Sequence, residues 1–288
     1  MKCNMCVRNC NVDREKTVGF CHAGNSMKIA KYMLYHYEEP CISGSKGSGA
    51  IFFSNCNLKC VYCQNYEISL EEYGKEISIL DFANICLELQ GKGAHNINLI
   101  TPGHYALMIK EGIILAREKG LTIPIVYNTN SYESVDTIKK LKGIVDAYLP
   151  DFKYYDDNLA IKYSSAPGYM ENAKKVIAEM YKQVGKPVFE KGIMKKGVLV
   201  RHLMLPTLTE DSKNIIKYLY KTYKDNIYIS IMNQYTPMKN FKDELLNKTI
   251  TKEEYDDIIN FAYDLGIRNC FAQEDETCKK SFIPKFKE

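Results

Sequence analysis

Short apolar runs alternate with longer amphipathic stretches along most of the chain. The apolar runs are rich in Ile, Val, Leu and aromatic residues, as are strands that are buried on both faces of a sheet. We predict six strands, which span residues 50–54, 96–100, 123–128, 147–150, 198–203 and 227–232. The amphipathic stretches between and after them predict six helices, at residues 79–90, 105–119, 135–141, 170–184, 212–224 and 252–265.

This alternation of strands and helices predicts the fold class. Strands that are each followed by a helix form a parallel sheet with right-handed crossover connections. Eight such units close a full barrel in about 250 residues, whereas this pattern contains six. We therefore predict an α/β fold, namely an incomplete (β/α)6 barrel of parallel strands that is open at one side. In such folds the functional side chains collect at the carboxyl ends of the strands.

The start of the chain is marked by cysteines rather than by periodic apolar residues. A Cys-rich head, residues 1–36, shows no helical or strand periodicity, and a polar turn at 43–49 separates it from the alternating pattern. We therefore divide the chain into a Cys-rich metal-binding head and linker at 1–49 and a partial barrel at 50–288.

The cysteines of the head are spaced as metal ligands are. They are separated by two, three and ten residues, and they are Cys3, Cys6, Cys10 and Cys21. The first pair has the form of a metal knuckle, and four thiolates favour zinc or a second iron–sulfur cluster, which the spacing does not distinguish. Cys41 and His22 are alternative ligands, and unliganded thiols are the simpler interpretation.

Composition limits the cellular location and the classes of partner that we expect for the protein. The sequence contains no run of 18 apolar residues, so we predict no transmembrane helix. The first residues also lack the apolar region of a signal peptide. We therefore expect a cytoplasmic protein without a membrane partner. In a reducing cytoplasm, the 11 cysteines are metal ligands or free thiols rather than disulfides. A net charge of only +4, with scattered lysines, argues against nucleic acid as a partner.

Three further cysteines, Cys56, Cys60 and Cys63, follow the first predicted strand with the spacing C-x3-C-x2-C. Three thiolates on one loop can bind three irons of a cubane cluster. The next cysteine, Cys86, falls in a predicted helix, so the fourth iron is left open to a small molecule. A structural zinc site has four protein ligands, and a ferredoxin supplies four cysteines per cluster, so both fit this loop less well.

This motif, with the aromatic Tyr62 before its last cysteine, resembles that of the radical S-adenosylmethionine (SAM) superfamily. The chain more specifically resembles the pyruvate formate-lyase activating enzyme-like branch. The head motif Cys3-x2-Cys6-x-Arg8-x-Cys10 carries this likeness, as do the segments at 39–44, 63–69, 93–99, 124–129, 148–154 and 232–237. The resemblance implies that SAM chelates the open iron of a [4Fe–4S] cluster beside Tyr62. It also implies that one electron cleaves SAM to methionine and a 5′-deoxyadenosyl radical, which abstracts hydrogen from a substrate.

The resemblance also suggests SAM contacts at the ends of the predicted strands. Thr101 stands where activating enzymes carry a Gly-Gly-Glu-type element, which this chain lacks, so Thr101 and nearby carbonyls would have to accept from the SAM amino group. Asn128 follows as a partner for the ribose hydroxyls, and Asp151 with Lys153 as a pair that holds the polar end of SAM. Arg201 is suited to pairing with a carboxylate.

We therefore expect a radical SAM enzyme that is most like a glycyl radical enzyme activase and that is reduced by a donor such as flavodoxin or ferredoxin. Its substrate is expected to be a protein, because the open side of the barrel admits a polypeptide loop. Radical modification of another peptide, a nucleic acid or a small molecule is one alternative. An iron–sulfur electron carrier or a zinc-stabilised interaction module is another. A core or helix-facing histidine is commoner than a catalytic one, but if the strand assignment holds, His104 and His202 would face the SAM pocket.

Overall fold

The computed structural model describes residues 2–273, 284 and 286. The strands are β1 Met27–Tyr35, β2 Ser48–Phe53, β3 Lys75–Ile77, β4 Ile97–Ile100, β5 Ile125–Thr129, β6 Ala147–Pro150, β7 Val188–Glu190, β8 Ile193–Leu203, β9 Tyr228–Met232 and β10 Cys270–Ala272. The α-helices are α1 Pro40–Ser43, α2 Tyr66–Ser69, α3 Ile79–Gly91, α4 Ala106–Glu118, α5 Val135–Lys140, α6 Asp157–Ser164, α7 Tyr169–Val184, α8 Thr209–Tyr223 and α9 Lys252–Asp264. None of the helices in these residues is long and apolar enough to cross a bilayer.

These strands form one sheet that does not close. Its order is β10-β9-β8-β6-β5-β4-β2-β1-β3, and β7 pairs with β8 outside this path. The six predicted strands correspond to β2, β4, β5, β6, β8 and β9, which pair in parallel in that order. The barrel therefore stays open between the edge strands β3 and β10, and the predicted fold class is confirmed.

Strand β1 lies where the sequence showed no periodicity. It pairs antiparallel with β2 on one side and with β3 on the other. Most of its residues are only half-buried, and Lys28 and Lys31 interrupt its apolar positions, so neither alternation nor a continuous apolar run is visible. The aperiodic stretch through residue 36 thus includes a strand that its sequence pattern did not indicate. The sequence also missed α6, because a helix of eight residues is too short to show a clear helical period.

The sheet has two faces, which side chains reach alternately along each strand. One face packs against the surrounding helices in the main core. On the other face, inside the barrel, Val126, Leu149 and Leu199 pack against Cys41 and Ile42 of α1. Helix α1 therefore fills the interior beside the amino-terminal halves of the strands. The space near their carboxyl ends remains free for a cavity.

Candidate functional site

A cavity lies at the carboxyl ends of the parallel strands. The cysteine loop, residues 54–65 between β2 and α2, forms one wall, and the ends of β4, β5, β6, β8 and β9 contribute many of the other lining residues. All nine side chains predicted as ligands of the barrel cluster or as SAM contacts line this cavity: Cys56, Cys60, Cys63, Tyr62, Thr101, Asn128, Asp151, Lys153 and Arg201. The four head cysteines are not among its lining residues.

The strands that lead into this cavity end in unusual backbone conformations. Asn55 after β2, Thr101 after β4 and Ser131 near the end of β5 have φ angles of 74°, 59° and 63°. Positive φ is uncommon for residues other than glycine and is an outlier for a β-branched residue such as Thr101. Each such residue costs about 1–3 kcal/mol and persists only where the surroundings hold it. Such strain concentrates at binding sites, which supports this edge of the sheet as the functional one.

The three thiols of the cysteine loop are each within hydrogen-bonding distance of a polar side chain. The distances are 3.4 Å from Asn130 Nδ2 to Cys56 Sγ, 2.9 Å from Ser164 Oγ to Cys60 Sγ and 3.1 Å from Ser69 Oγ to Cys63 Sγ. A thiolate can accept a hydrogen bond but cannot donate one. These neighbours are therefore suited to sulfur atoms that bind metal in the thiolate form.

The buried surroundings of the cysteine loop favour neutral thiols over thiolates. Burial raises the pKa of the Cys60 thiol to about 11, although the positive charge of Lys153 acts in the opposite direction. Burial likewise raises the pKa of Cys56 and of Cys63. The free thiols therefore stay protonated at neutral pH, and iron must displace their protons on binding.

The donor set matches a [4Fe–4S] cluster better than a single ion. In the described part of the chain, no three His, Cys, Asp or Glu side chains are grouped to hold one metal ion. A cubane differs from such a site because each of its thiolates binds a different iron, so the ligands surround the cluster instead of converging on a point. The cavity is lined by three cysteines, which leaves one iron of a cubane for another ligand.

Arg201 is the centre of a buried charge network at the base of the cavity. Its Nη1 lies 2.9 Å from Glu38 Oε2, its Nε 3.3 Å from Asp151 Oδ1 and its Nη2 2.6 Å from Asn128 Oδ1. Lys153 Nζ lies 2.8 Å from the other oxygen of Asp151. Burial alone would raise the pKa of Asp151, but the two cations outweigh it and hold that pKa below its usual range.

Sequence reasoning missed Glu38, which supplies the second carboxylate of this network. Its Oε1 also accepts a hydrogen bond of 2.9 Å from Asn98 Nδ2 of β4. Burial raises the pKa of Glu38, and the charge of Arg201 opposes that effect. Glu38 precedes α1, outside the strand ends on which the search relied. The available signal was its position next to the segment 39–44, which carried the family resemblance.

The expectation that His104 and His202 face the SAM pocket is wrong, since neither lines the cavity. His202 follows Arg201 in β8, so the two side chains must point to opposite faces of the sheet. Its Nε2 lies 2.8 Å from Ser212 Oγ of α8 on the helix side. His104 lies beneath the cysteine loop, with Nε2 2.7 Å from Ser54 O. Burial lowers the pKa of His202 to about 4 and that of His104 to about 3, so both are neutral at pH 7.

The Cys-rich head packs against the cysteine loop from outside the cavity. Arg8 Nε donates to Asn57 O at 3.1 Å, and the Arg8 guanidinium lies 3.7 Å from the ring centre of Phe20. Arg14 Nη1 donates to His104 O at 2.6 Å. These contacts explain the arginine within the head motif, because Arg8 joins the head to the loop. The head cysteines form no single-ion site among the described residues, and a metal there stays a prediction.

Glu133 is a second buried carboxyl that the sequence did not indicate. It follows β5, is 2% exposed and hydrogen-bonds through Oε1 to Thr129 Oγ1. Its Oε2 has no hydrogen-bond partner within the described residues. A side chain at Gly103 would overlap this carboxyl group. Burial raises the pKa of Glu133 to about 7, so the folded protein favours its neutral form.

We predict that Glu133→Gln makes the protein relatively more stable at high pH. The raised pKa of about 7 means that the stability Glu133 contributes is fully present below its ordinary pKa of 4.5 and is lost as pH rises through 7. Glutamine remains neutral, so its advantage over glutamate should grow by about 3 kcal/mol between pH 4.5 and pH 8. Anaerobic urea unfolding at several pH values measures this difference.

The matched control for this prediction is Glu118→Gln at the exposed end of α4. That change should alter the free energy of unfolding by only a small amount, because Glu118 lies on the exposed surface. A constant difference between the Glu133→Gln variant and the wild-type protein across the pH range would show that folding does not shift the pKa of Glu133, which would contradict the prediction.

Comparison with known proteins places the chain in a family. Residues 50–219, more than half of the chain, match the model of the radical SAM superfamily. The uncharacterized protein MJ0674 of Methanocaldococcus jannaschii is 28% identical over 286 residues, which cover 92% of this chain and 76% of that protein.

Solved structures share the fold at low identity. SuiB of Streptococcus suis bound to SAM has a TM-score of 0.53 at 13% identity, over 77% of this chain and 49% of SuiB. SuiB bound to its precursor peptide SuiA has a TM-score of 0.52 at 12% identity, over 77% of this chain and 47% of SuiB. The hydrogenase maturase HydG has a TM-score of 0.50 at 13% identity, over 75% of this chain and 53% of HydG.

The chain thus spans about half the length of these solved proteins. The matched family region contains the cysteine loop and the ends of β4, β5, β6 and β8, which supply most of the residues that line the cavity. The chain therefore belongs to the radical SAM superfamily, whose members are enzymes that use a [4Fe–4S] cluster and SAM for radical reactions.

Proposed function

We propose that the protein binds a [4Fe–4S] cluster through Cys56, Cys60 and Cys63 and abstracts hydrogen from a polypeptide, as a glycyl radical enzyme activase does. The observation that carries this proposal is the cavity in which these thiols meet the six predicted SAM contacts. Held there, the cluster and SAM would supply the one-electron chemistry that converts SAM and a substrate C–H group into methionine, 5′-deoxyadenosine and a substrate radical. A one-electron donor such as flavodoxin or ferredoxin supplies the electron.

The charged side chains of the cavity are suited to hold the polar end of SAM. Asp151 can accept from an amino group, and Lys153, whose side chain is 17% exposed, can donate to a carboxylate. Arg201 already donates to three partners within the fold. We infer that Arg201 acts on SAM chiefly by orienting Asp151 and Asn128, which two of these hydrogen bonds hold in place.

Two structural features support a polypeptide substrate. The barrel is open between β3 and β10, which gives an extended segment a lateral path to the cavity. Phe286, near the end of this chain, is buried inside the barrel with its ring centre 5.4 Å from that of Phe52, a cavity residue. The cavity wall thus already accepts an aromatic side chain of a polypeptide. The resemblance to activating enzymes in the segments described above points to the same substrate class.

We predict that the enzyme, with reductant and SAM, generates a glycyl radical on a protein from the same cell. Candidate glycyl radical enzymes are incubated anaerobically with the wild-type protein, and electron paramagnetic resonance should then show a glycyl doublet. 5′-Deoxyadenosine should form in proportion to that radical, because each abstraction releases one molecule. The Cys60→Ala variant, handled identically, should give neither signal.

A different outcome would identify another substrate class. Efficient turnover of a small metabolite or a nucleic acid, without a radical on any protein partner, would remove the activase proposal while leaving SAM cleavage intact. A protein that binds iron and exchanges electrons but makes no 5′-deoxyadenosine would be an electron carrier instead.

A further inference from the structure

Three buried hydroxyl groups form a chain that ends on the sulfur of Cys60. Tyr62 Oη lies 2.6 Å from Tyr154 Oη, which lies 2.7 Å from Ser164 Oγ, and Ser164 Oγ lies 2.9 Å from Cys60 Sγ. Tyr62, Tyr154 and Ser164 are 6%, 1% and 0% exposed, so bulk water does not compete for these hydrogen bonds. We call these three residues the hydroxyl chain.

The direction of the hydroxyl chain follows from the number of available hydrogens. As a metal ligand, Cys60 is a thiolate without a hydrogen, so Ser164 must donate to it. Because Ser164 has a single hydroxyl hydrogen, the bond between Ser164 and Tyr154 must be donated by Tyr154. By the same reasoning, Tyr62 donates to Tyr154. All three O–H groups therefore point towards one sulfur, and each bond polarises the next in this low-dielectric interior.

The other two sulfurs of the cysteine loop have different donors. Cys63 has the single hydroxyl of Ser69 at 3.1 Å. Cys56 has amide donors, namely Asn130 Nδ2 and the backbone N–H of Leu58, each at 3.4 Å. Cys60 therefore has the shortest of these contacts, and its donor is supported by two phenols. Any effect of hydrogen bonding on a bound cluster should be largest at this ligand.

We propose that the hydroxyl chain raises the reduction potential of the cluster. Because the chain ends at Tyr62 in the cavity, a change in the surroundings of Tyr62 alters that potential. Hydrogen bonds to a cluster sulfur favour the reduced state, because they stabilise the negative charge that the added electron brings. Tyr62 is the end of the chain that lines the cavity, and its ring lies edge-on to Tyr235 with ring centres 6.0 Å apart. The inference rests on the proposed cluster at Cys56, Cys60 and Cys63, but not on the identity of the substrate.

The test is a series of three variants with graded expected effects. Ser164→Ala removes the donor itself and should lower the midpoint potential most. Tyr154→Phe leaves the Ser164 hydroxyl without the donor behind it and should lower the potential less, and Tyr62→Phe should lower it least. Anaerobic potentiometric titration, with the electron paramagnetic resonance signal of the reduced cluster as readout, measures all three. Iron analysis confirms that each variant holds a full cluster.

Two controls separate this role from ordinary packing. Tyr163→Phe removes a phenol that donates to Asp243 at 2.9 Å instead of joining the hydroxyl chain, so the potential should stay at the wild-type value. Ser69→Ala removes the lone hydroxyl near Cys63 and should lower the potential less than Ser164→Ala does. If Ser164→Ala fails to hold iron, the two tyrosine variants carry the test, since both retain the serine.

The outcomes distinguish this inference from the proposed function. Wild-type potentials in fully loaded Ser164→Ala and Tyr154→Phe proteins would overturn the inference, even if SAM cleavage and a substrate radical are observed. A shift with Tyr163→Phe as large as that with Tyr154→Phe would also overturn it. The graded order, in a protein that forms no glycyl radical on any partner, would support the inference while the activase proposal fails.

Discussion

Replacement of Cys60 by alanine will abolish the formation of 5′-deoxyadenosine, and replacement of Cys56 or Cys63 will do the same. Each thiolate is expected to bind a different iron. The loss of one thiolate leaves a second iron without a protein ligand, so the loop no longer holds an intact cluster with one open iron for SAM. The measurement is anaerobic reconstitution, followed by iron analysis and chromatographic quantification of 5′-deoxyadenosine. The wild-type cysteine loop should hold about four irons and four sulfides.

The matched control is Cys270→Ala, because that thiol lies in the edge strand β10 and does not line the cavity. It should retain both iron and SAM cleavage. Full cleavage activity in the Cys60→Ala protein would show that the cysteine loop is not the cluster site.

The variant that lacks all three loop cysteines also isolates the Cys-rich head. Any iron or zinc left in that protein must be held elsewhere, and the expected ligands are Cys3, Cys6, Cys10 and Cys21. Removal of the metal from the head should loosen the contacts of Arg8 and Arg14 with the barrel, because an isolated head has little core of its own. Elemental analysis that finds neither metal would refute the head site.

Replacement of Arg201 by alanine will both weaken SAM binding and destabilise the fold. It leaves the buried carboxylate of Glu38 without its cationic partner and leaves Asp151 with Lys153 alone, and breaking a buried pair in this way costs about 3–5 kcal/mol. Arg201→Lys keeps the charge but has one nitrogen atom in place of the three that reach Glu38, Asp151 and Asn128, so it should lie between alanine and wild type. Urea unfolding reports the stability, and calorimetric titration with SAM reports the affinity.

Asp151→Asn separates the two effects, since asparagine keeps the size of the side chain. It should weaken SAM binding while leaving the spectrum of the cluster intact, because Asp151 contacts no cysteine sulfur by hydrogen bond or ion pair among its described contacts. Arg117→Ala, in a half-exposed pair with Asp146 on the outer surface, should change neither measurement by more than a small amount. Unchanged SAM affinity in both the Arg201 and Asp151 variants would show that the strand ends do not bind SAM.

The parts of the site that could be predicted are those that lie next to a parallel strand in the sequence. Strand β6 was predicted at 147–150 and observed at Ala147–Pro150, so Asp151 and Lys153 were correctly placed at the edge of the sheet. Because parallel strands end at the same edge, residues that follow different strands come together in space even when 50 residues separate them, as Asp151 and Arg201 show.

The parts of the site that could not be predicted depend on contacts with segments that do not directly follow a parallel strand. Glu38 enters the cavity from the linker, and Ser164 reaches Cys60 from the end of α6, 104 positions along the chain. The orientation of His202 depended on the register of β8, in which one position separates the inner face from the outer face. Short-range pattern thus identified strand ends, whereas long-range packing decided which side chains meet.

The position of Glu38 in the linker limits how far the polypeptide can be shortened from its amino-terminal side. A chain that starts at residue 50, where the family match begins, would lack Glu38 and all of β1. The backbone donors and acceptors of β2 would then be exposed along a new edge, which invites pairing with other molecules. The guanidinium at the base of the cavity would also lose one of its two carboxylates. We therefore expect that such a truncated chain aggregates on expression, and that a limited digest cuts no stable barrel free of its first 49 residues.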